Sequence, residues 1–161
     1  GHAPSRNWIF VEVRTDEGIT GVGEATTEYH EQAVVAMLDL DHFKQVNDRY
    51  GHRTGDLVIK GLANLLRHQL RKSDVIGRYG GEEFLVALPN CSLTNASRVL
   101  QSVCEHMAGI GFQSAGQEFH VTLSVGIVPL QNYLTSDDAI DAADQALYRA
   151  KAAGRNCILC A

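Results

Sequence analysis

Apolar and polar positions alternate in blocks, and each block predicts one element. Over residues 7–25 the alternation has period two and breaks at Asp16-Glu17-Gly18, which predicts a β-hairpin. Residues 26–33 open on a threonine suited to capping and predict a short helix. Residues 34–41, VVAMLDLD, form an apolar run that ends in two acids, as a buried strand would. Phe43, Val46 and Tyr50 then share one face of a helix that stops at Gly51. Residues 55–72 predict a longer amphipathic helix with Leu57, Leu62, Leu65 and Leu66 toward the core. Strands follow at 74–79 and 84–89, on either side of Gly80-Gly81-Glu82-Glu83. Residues 93–108 carry Val99, Val103 and Met107 at helical spacing, and residues 117–130 read as a strand. Residues 136–154 predict a helix capped by Ser136 or Asp137 and ended by Gly154, and residues 156–160 a closing strand.

From Val34 the order is strand, helix, helix, hairpin, helix, strand, helix, strand. That order predicts an α/β (α+β) domain with a mixed central sheet flanked by helices. The N-terminal hairpin breaks the rhythm, so the chain divides into an appended segment, 1–33, and a main domain, 34–161. A length of 161 residues suffices for one packed core. Apolar content of 45% and charged content of 20% fit a globular chain, and a net charge of −5 argues against a nucleic-acid binder. It leaves room for a local basic pocket. No apolar run approaches the ~20 residues that span a bilayer, so no membrane partner is expected. No secretory signal opens the chain, Gly1-His2 reads as an expression remnant, and Cys91, Cys104, Cys157 and Cys160 are scattered. Together these point to a reduced, cytoplasmic setting. The lone Cys157-x-x-Cys160 is a weak redox or metal signal beside the simpler reading, buried thiols of a last strand.

The chemistry concentrates in acids at strand ends. Asp39 closes a strand at the edge where α/β sheets collect ligands. If the 76–88 hairpin pairs beside it, Glu82 comes close to Asp39, and carboxylates gathered there call for a cation. Oxygen ligands suit Mg²⁺ or Mn²⁺ shared with substrate phosphates. Gly80 and Gly81 would permit the tight turn and leave room for a polyphosphate. Spacing alone leaves a solvated acidic turn equally open. The N-terminus of the helix at Phe43-Lys44 favours anions, and Lys151 and Arg155, four apart, would reach the far end of a triphosphate. Asn47 and Asp56 carry groups that match a guanine edge, although Asp56 also suits a helix cap.

These residues together resemble the GGDEF family of diguanylate cyclases over residues 34–158. The signature stands as Gly80-Gly81-Glu82-Glu83-Phe84, and MLDLDHFKQVNDRYGHRTGD, SVGI and ADQALYRAKAAGRN match further blocks in order. The resemblance implies condensation of two GTP to cyclic di-GMP and pyrophosphate by a homodimer of half-sites. It implies Mg²⁺ (or Mn²⁺) on Asp39, Glu82 and the Leu40 carbonyl, with Glu82 as base and Glu83 in support. Asn47, His52 and Asp56 would hold guanine, while Phe43 N–H, Lys44, Lys151 and Arg155 would hold phosphates. Arg71 and Asp74, an R-x-x-D pair six residues before Gly80, imply an inhibitory product site. The family's further arginine has Ser102 in its place, with Arg98 one turn earlier. The alternative is a GGDEF module that binds GTP or cyclic di-GMP without turnover.

The usual opening helix of that family, D-x-L-T-x-L-x-N-R, is missing. Residues 4–36 instead resemble the start of the capping domain of mandelate-racemase-like enolase-superfamily enzymes, without the barrel residues that carry that chemistry. The chain therefore reads as a fusion. Trp8, Ile9, Val11 and Val13 are expected to cover sheet surface that the missing helix would leave bare.

Overall fold

The computed structural model describes residues 32–161 in full and, ahead of them, the backbone of residues 7–14 and 20–27. At its centre lies β3 (Val34–Leu40; β1 and β2 precede it in the hairpin described below), every residue of which is buried. A strand apolar on both faces needs partners at both edges and a layer on each side. β5 (Glu83–Leu88) and β8 (Leu123–Pro129) take its edges antiparallel, and β4 (Val75–Arg78) and β9 (Ile158–Cys160) complete the order β4-β5-β3-β8-β9. The β8–β9 pairing is parallel, so the sheet is mixed, as the element order predicted.

Period two assigns the layers. Val34, Ala36, Leu38 and Leu40 join one cluster with the buried residues of α2 (His52–Gln69) and α3 (Leu93–Gly109). Val35 and Met37 join a smaller cluster with Ala139, Ala143 and Leu147 of α4 (Ser136–Ala152). α4 lies close on β8 because Gly126 has no side chain: a Cβ there would meet the Ala143 carbonyl and the Leu147 amide. That close approach carries the C-terminal end of α4, with Lys151, toward the end of β3.

Several boundaries differ from the pattern. α1 (Phe43–Tyr50) stops at Gly51, φ 84°, and α2 begins at once at His52, so Asp56 lies inside the helix and is not its cap. Gly55 faces α1, where a Cβ would collide with the Asn47 amide and come within 3.1 Å of Phe43 Cζ. That phase turns Leu57, two residues on, to the outside, 56% exposed. Leu62 and Leu66 take the core as expected, with Leu65 partly buried against them, and Val58 and Ile59 join them in place of Leu57. The α4 cap is Thr135, whose hydroxyl accepts the Asp138 N–H at 3.1 Å, one residue before Ser136. The strand expected over 117–130 is two. β7 (Gln117–Phe119) turns back on β6 (Phe112–Ser114) through Ala115 and Gly116, both at positive φ, and β8 starts only at Leu123. Phe119 stacks on Tyr50 at 4.2 Å, which ties this small hairpin to the end of α1.

β1 (Asn7–Arg14) and β2 (Thr20–Thr27) pair antiparallel as the expected N-terminal hairpin, with the backbone of β1 close to the edge strand β4. Its turn at Asp16-Glu17-Gly18, residues 28–31 and its side chains lie outside the described residues, and with them the covering of the sheet by Trp8, Ile9, Val11 and Val13. The helix expected over 26–33 does not start at Thr26, since Thr26 and Thr27 end β2, and Gln32 and Ala33 are not helical. Among the described residues no helix is long and apolar enough to cross a membrane.

Gly126→Ala is expected to force α4 off β8 at a cost of about 3 kcal/mol, lowering Tm by roughly 10 °C. Thermal denaturation checks this, and an unchanged Tm would mean the contact is not tight.

Candidate functional site

The hydrophobic core ends where β3 ends. Asp39 is opposite Glu83 on one side and Ser124 on the other. The Leu40 N–H donates to the Glu82 carbonyl at 3.3 Å, which carries the pairing past β5 into the turn. Tyr79 N–H donates to the Glu83 carbonyl at 2.8 Å. The Arg78 guanidinium donates to the carbonyls of Gly80 and Gly81, at 2.8 Å for its shortest bond. Arg78 thus shapes the glycine turn, a role the sequence reading missed. Neither Gly80 nor Gly81 is at positive φ, so left-handed backbone is not what requires glycine here. At Gly80 a Cβ would stand 2.8 Å from Glu83 Oε2, whereas at Gly81 it would enter open space. Gly80 makes room for the neighbouring carboxylate, and Gly81 keeps one wall of a cleft bare.

That cleft, about 470 Å³, is lined by Phe43, Lys44, Asn47, His52, Asp56, Ile59, Arg78, Gly81 and Glu82. Seven of the sequence-predicted residues therefore share one cavity, drawn from α1, α2 and the turn. His42 precedes α1 at φ 57° and offers no side-chain cap. The N–H groups of Phe43 and Lys44 belong to the first turn, which helix geometry leaves without carbonyl partners. Gly55, also unforeseen, lets Asn47 lie between the two helices.

Asp39 does not line this cleft, and its carboxylate accepts an ion pair from Lys151 Nζ at 2.7 Å. Burial pushes the Asp39 carboxyl up to about 6, against the opposing pull of Lys151 and with a further rise from Glu82 and Glu83. Among the described residues no three acidic, histidine or cysteine side chains form a metal-binding group. The Asp39 and Glu82 carboxylates are hard donors that could take Mg²⁺ or Mn²⁺. The Lys151 ammonium already rests against one of them. Arg155 follows α4 in left-handed backbone, φ 66°, and its N–H donates to the Ala150 carbonyl at 3.0 Å.

Arg71 and Asp74 are paired with each other at 2.9 Å, and Arg71 Nη2 also donates to the Pro89 carbonyl at 2.6 Å. The pair ties the α2–β4 connection to the end of β5. Ser102 lies beside the end of α2, its hydroxyl 3.4 Å from Gln69 Oε1. All four cysteines are free thiols, Cys157 and Cys160 included.

The chain matches the sequence profile of the family described as "Diguanylate cyclase, GGDEF domain" over residues 13–157. It is 43% identical over 123 residues to the diguanylate cyclase DgcP of Pseudomonas aeruginosa, covering 76% of this chain and 18% of that one. It is 37% identical to diguanylate cyclase A of Treponema denticola, covering 80% and 35%. The chain thus spans well under half the length of these curated relatives. Among solved structures it is similar to the GGDEF domain of DgcB from Caulobacter crescentus in complex with c-di-GMP, with a TM-score of 0.78, 28% identity and coverage of 81% and 78%. The active GGEEF domain of a Vibrio cholerae diguanylate cyclase gives a TM-score of 0.75 at 32% identity, covering 80% and 82%.

Folding takes up a proton on Asp39 between its ordinary value of 3.8 and about 6. The stability contributed by Asp39 therefore falls as pH rises across that window and is level above it. In chelating buffer, Asp39→Asn is expected to gain Tm relative to the native chain from about pH 4 to about pH 6.5, then hold a constant difference. A difference that is flat or shrinks across the window would contradict burial as the dominant cause.

Proposed function

The chain belongs to the GGDEF family of diguanylate cyclases, and on that premise we propose that it condenses two GTP molecules into cyclic di-GMP. One observation carries the assignment: the β3–β5 register, which sets Asp39 and Glu82 at adjoining strand ends beside a cleft of nucleotide size. Guanine lies against Asn47, His52 and Asp56, where a carboxylate accepts from N1–H and the exocyclic amine. The triphosphate runs from the α1 N-terminus, Phe43 N–H and Lys44, toward Lys151 and Arg155. Asp39, Glu82 and the Leu40 carbonyl would hold Mg²⁺ or Mn²⁺. Bound there, the ion would neutralise phosphoryl charge and lower the pKa of the attacking hydroxyl.

The 3′-oxygen of one GTP forms a bond to the α-phosphorus of the other, and the bond from that phosphorus to pyrophosphate breaks. Glu82 receives the hydroxyl proton, with Glu83 supporting its position. Repetition in the other direction closes the ring and releases the second pyrophosphate. One cleft holds one GTP, so the reaction needs two copies of the chain face to face, and positioning supplies most of the acceleration. Arg71 and Asp74 form an inhibitory site for the product, which must compete with their mutual pairing and with the Pro89 carbonyl. We place the boundary of the domain at residue 34 and treat the preceding hairpin as an appended element that stands in for the family's opening helix.

Incubation with GTP and Mg²⁺ followed by nucleotide chromatography is expected to yield cyclic di-GMP from the native chain and at least about 100-fold less from Glu82→Gln. Equal yields would remove Glu82 from the chemistry. No product from a native chain that still binds GTP would establish a binding module without turnover. Gly55→Ala, which displaces Asn47, is expected to weaken GTP and GMP alike by about tenfold, a loss of one guanine hydrogen-bond pair. Calorimetric titration showing unchanged affinity for both would remove Asn47 from the guanine site.

A further inference from the structure

Asp41 is a buried carboxylate that accepts three hydrogen bonds and has no part in the scheme above. It is 4% exposed. Its Oδ1 accepts the Ser124 hydroxyl at 2.6 Å, and its Oδ2 accepts the Thr122 hydroxyl at 2.6 Å and the Asn156 backbone N–H at 3.0 Å. Its own N–H donates to the Thr122 carbonyl at 2.9 Å. Three donors on one buried carboxylate fix its orientation. Two of them belong to the β8 end of the sheet. The third belongs to the loop after α4, where Gly154, Arg155 and Asn156 stand in succession at φ 114°, 66° and 48°. Two consecutive non-glycine residues in left-handed backbone cost energy, and such backbone persists only where its surroundings hold it.

We propose that Asp41 is a positioning residue that clamps this loop and thereby aims Arg155 at the substrate triphosphate. Asp39 and Asp41, two residues apart, grip the last turn of α4 and the loop after it, respectively, by different means. Asp39 holds Lys151 through an ion pair between side chains, which can exchange for other charged partners. Asp41 accepts from a backbone amide and two hydroxyls, all neutral donors, and among the described residues no cation pairs with it. The first contact is free to open when an anion arrives, and the second keeps the loop in place while it does.

The inference rests on the triphosphate assignment of Lys151 and Arg155 given above. The test compares binding of GTP and GMP, which share guanine and α-phosphate and differ in the two outer phosphates. Asp41→Ala is expected to weaken GTP by about tenfold, the scale of one charged hydrogen bond, and to leave GMP within about twofold. A purely electrostatic role has the opposite sign, since removing a negative charge near the phosphates would tighten GTP. Asp41→Asn, whose amide oxygen can still accept the Asn156 N–H, is expected to restore most of the preference. In the background of Asp41→Ala, Arg155→Ala is expected to add little further loss. Should Asp41→Ala fail to fold, the pair Thr122→Val with Ser124→Ala frees the carboxylate to swing and carries the same comparison. Equal weakening of GTP and GMP, a retained preference for GTP, or full additivity with Arg155→Ala would overturn the clamp. If the native chain itself shows no preference for GTP over GMP, the triphosphate assignment fails. Hydrogen exchange at the Asn156 amide, slow in the native chain and faster in Asp41→Ala, then tests the clamp independently, and equal exchange in both would overturn it.

Discussion

The burial of β3 on both faces and both edges constrains everything around it. A strand enclosed in this way can tolerate polar side chains only where the core runs out, and here it runs out at Asp39. The antiparallel neighbours fix what meets those acids. β5 brings the glycine turn and Glu82 to one side, and β8 with the residue before it brings Ser124 and Thr122 to the other. Because Gly126 lets α4 lie directly on β8, the end of that helix arrives at the same point. The candidate site is therefore a consequence of where the apolar run stops and what the two ladders deliver there.

Charge is distributed unevenly around that point. Asp39 is buried enough to be pushed up to about 6 even with Lys151 beside it. Asp41, deeper in contacts, is satisfied by three donors. A carboxylate raised by burial and held by a single, partly exposed ammonium is suited to exchange partners. One held by hydroxyls and a backbone amide is suited to keep a loop still. The cleft beside them draws its walls from α1 and α2, whose close approach depends on Gly55, so the nucleotide-sized space and the acids are built by separate packing contacts.

Much of this was legible in the sequence, for identifiable reasons. The unbroken VVAMLDLD run, the Phe43–Val46 spacing and the glycine-acid turn are local signals, and the structure repeats them as β3, α1 and the β4–β5 turn. Seven candidate residues fall in one cavity because they come from a few neighbouring segments. What was not legible depends on contacts between distant segments. Leu57 reads as core until Gly55 is seen to face α1 and set the phase of the helix. Residues 117–130 read as one strand because residues 120–122, where β7 gives way to β8, carry no glycine or proline to mark the break. Arg78 was passed over because the partners described for it are backbone carbonyls, which a sequence does not display, and Asp41 because Thr122, Ser124 and Asn156 lie far along the chain. Asp41 left one faint mark, its period-two relation to Asp39.

The proposed half-site character of the domain is testable through kinetics without any substitution. With GTP and Mg²⁺ saturating and the protein dilute, the initial rate of cyclic di-GMP formation is expected to rise with the square of protein concentration, because two clefts must meet for each product. A rate strictly proportional to protein concentration down to the lowest dilution, from a chain shown to be monomeric there, would contradict a site completed by a second copy.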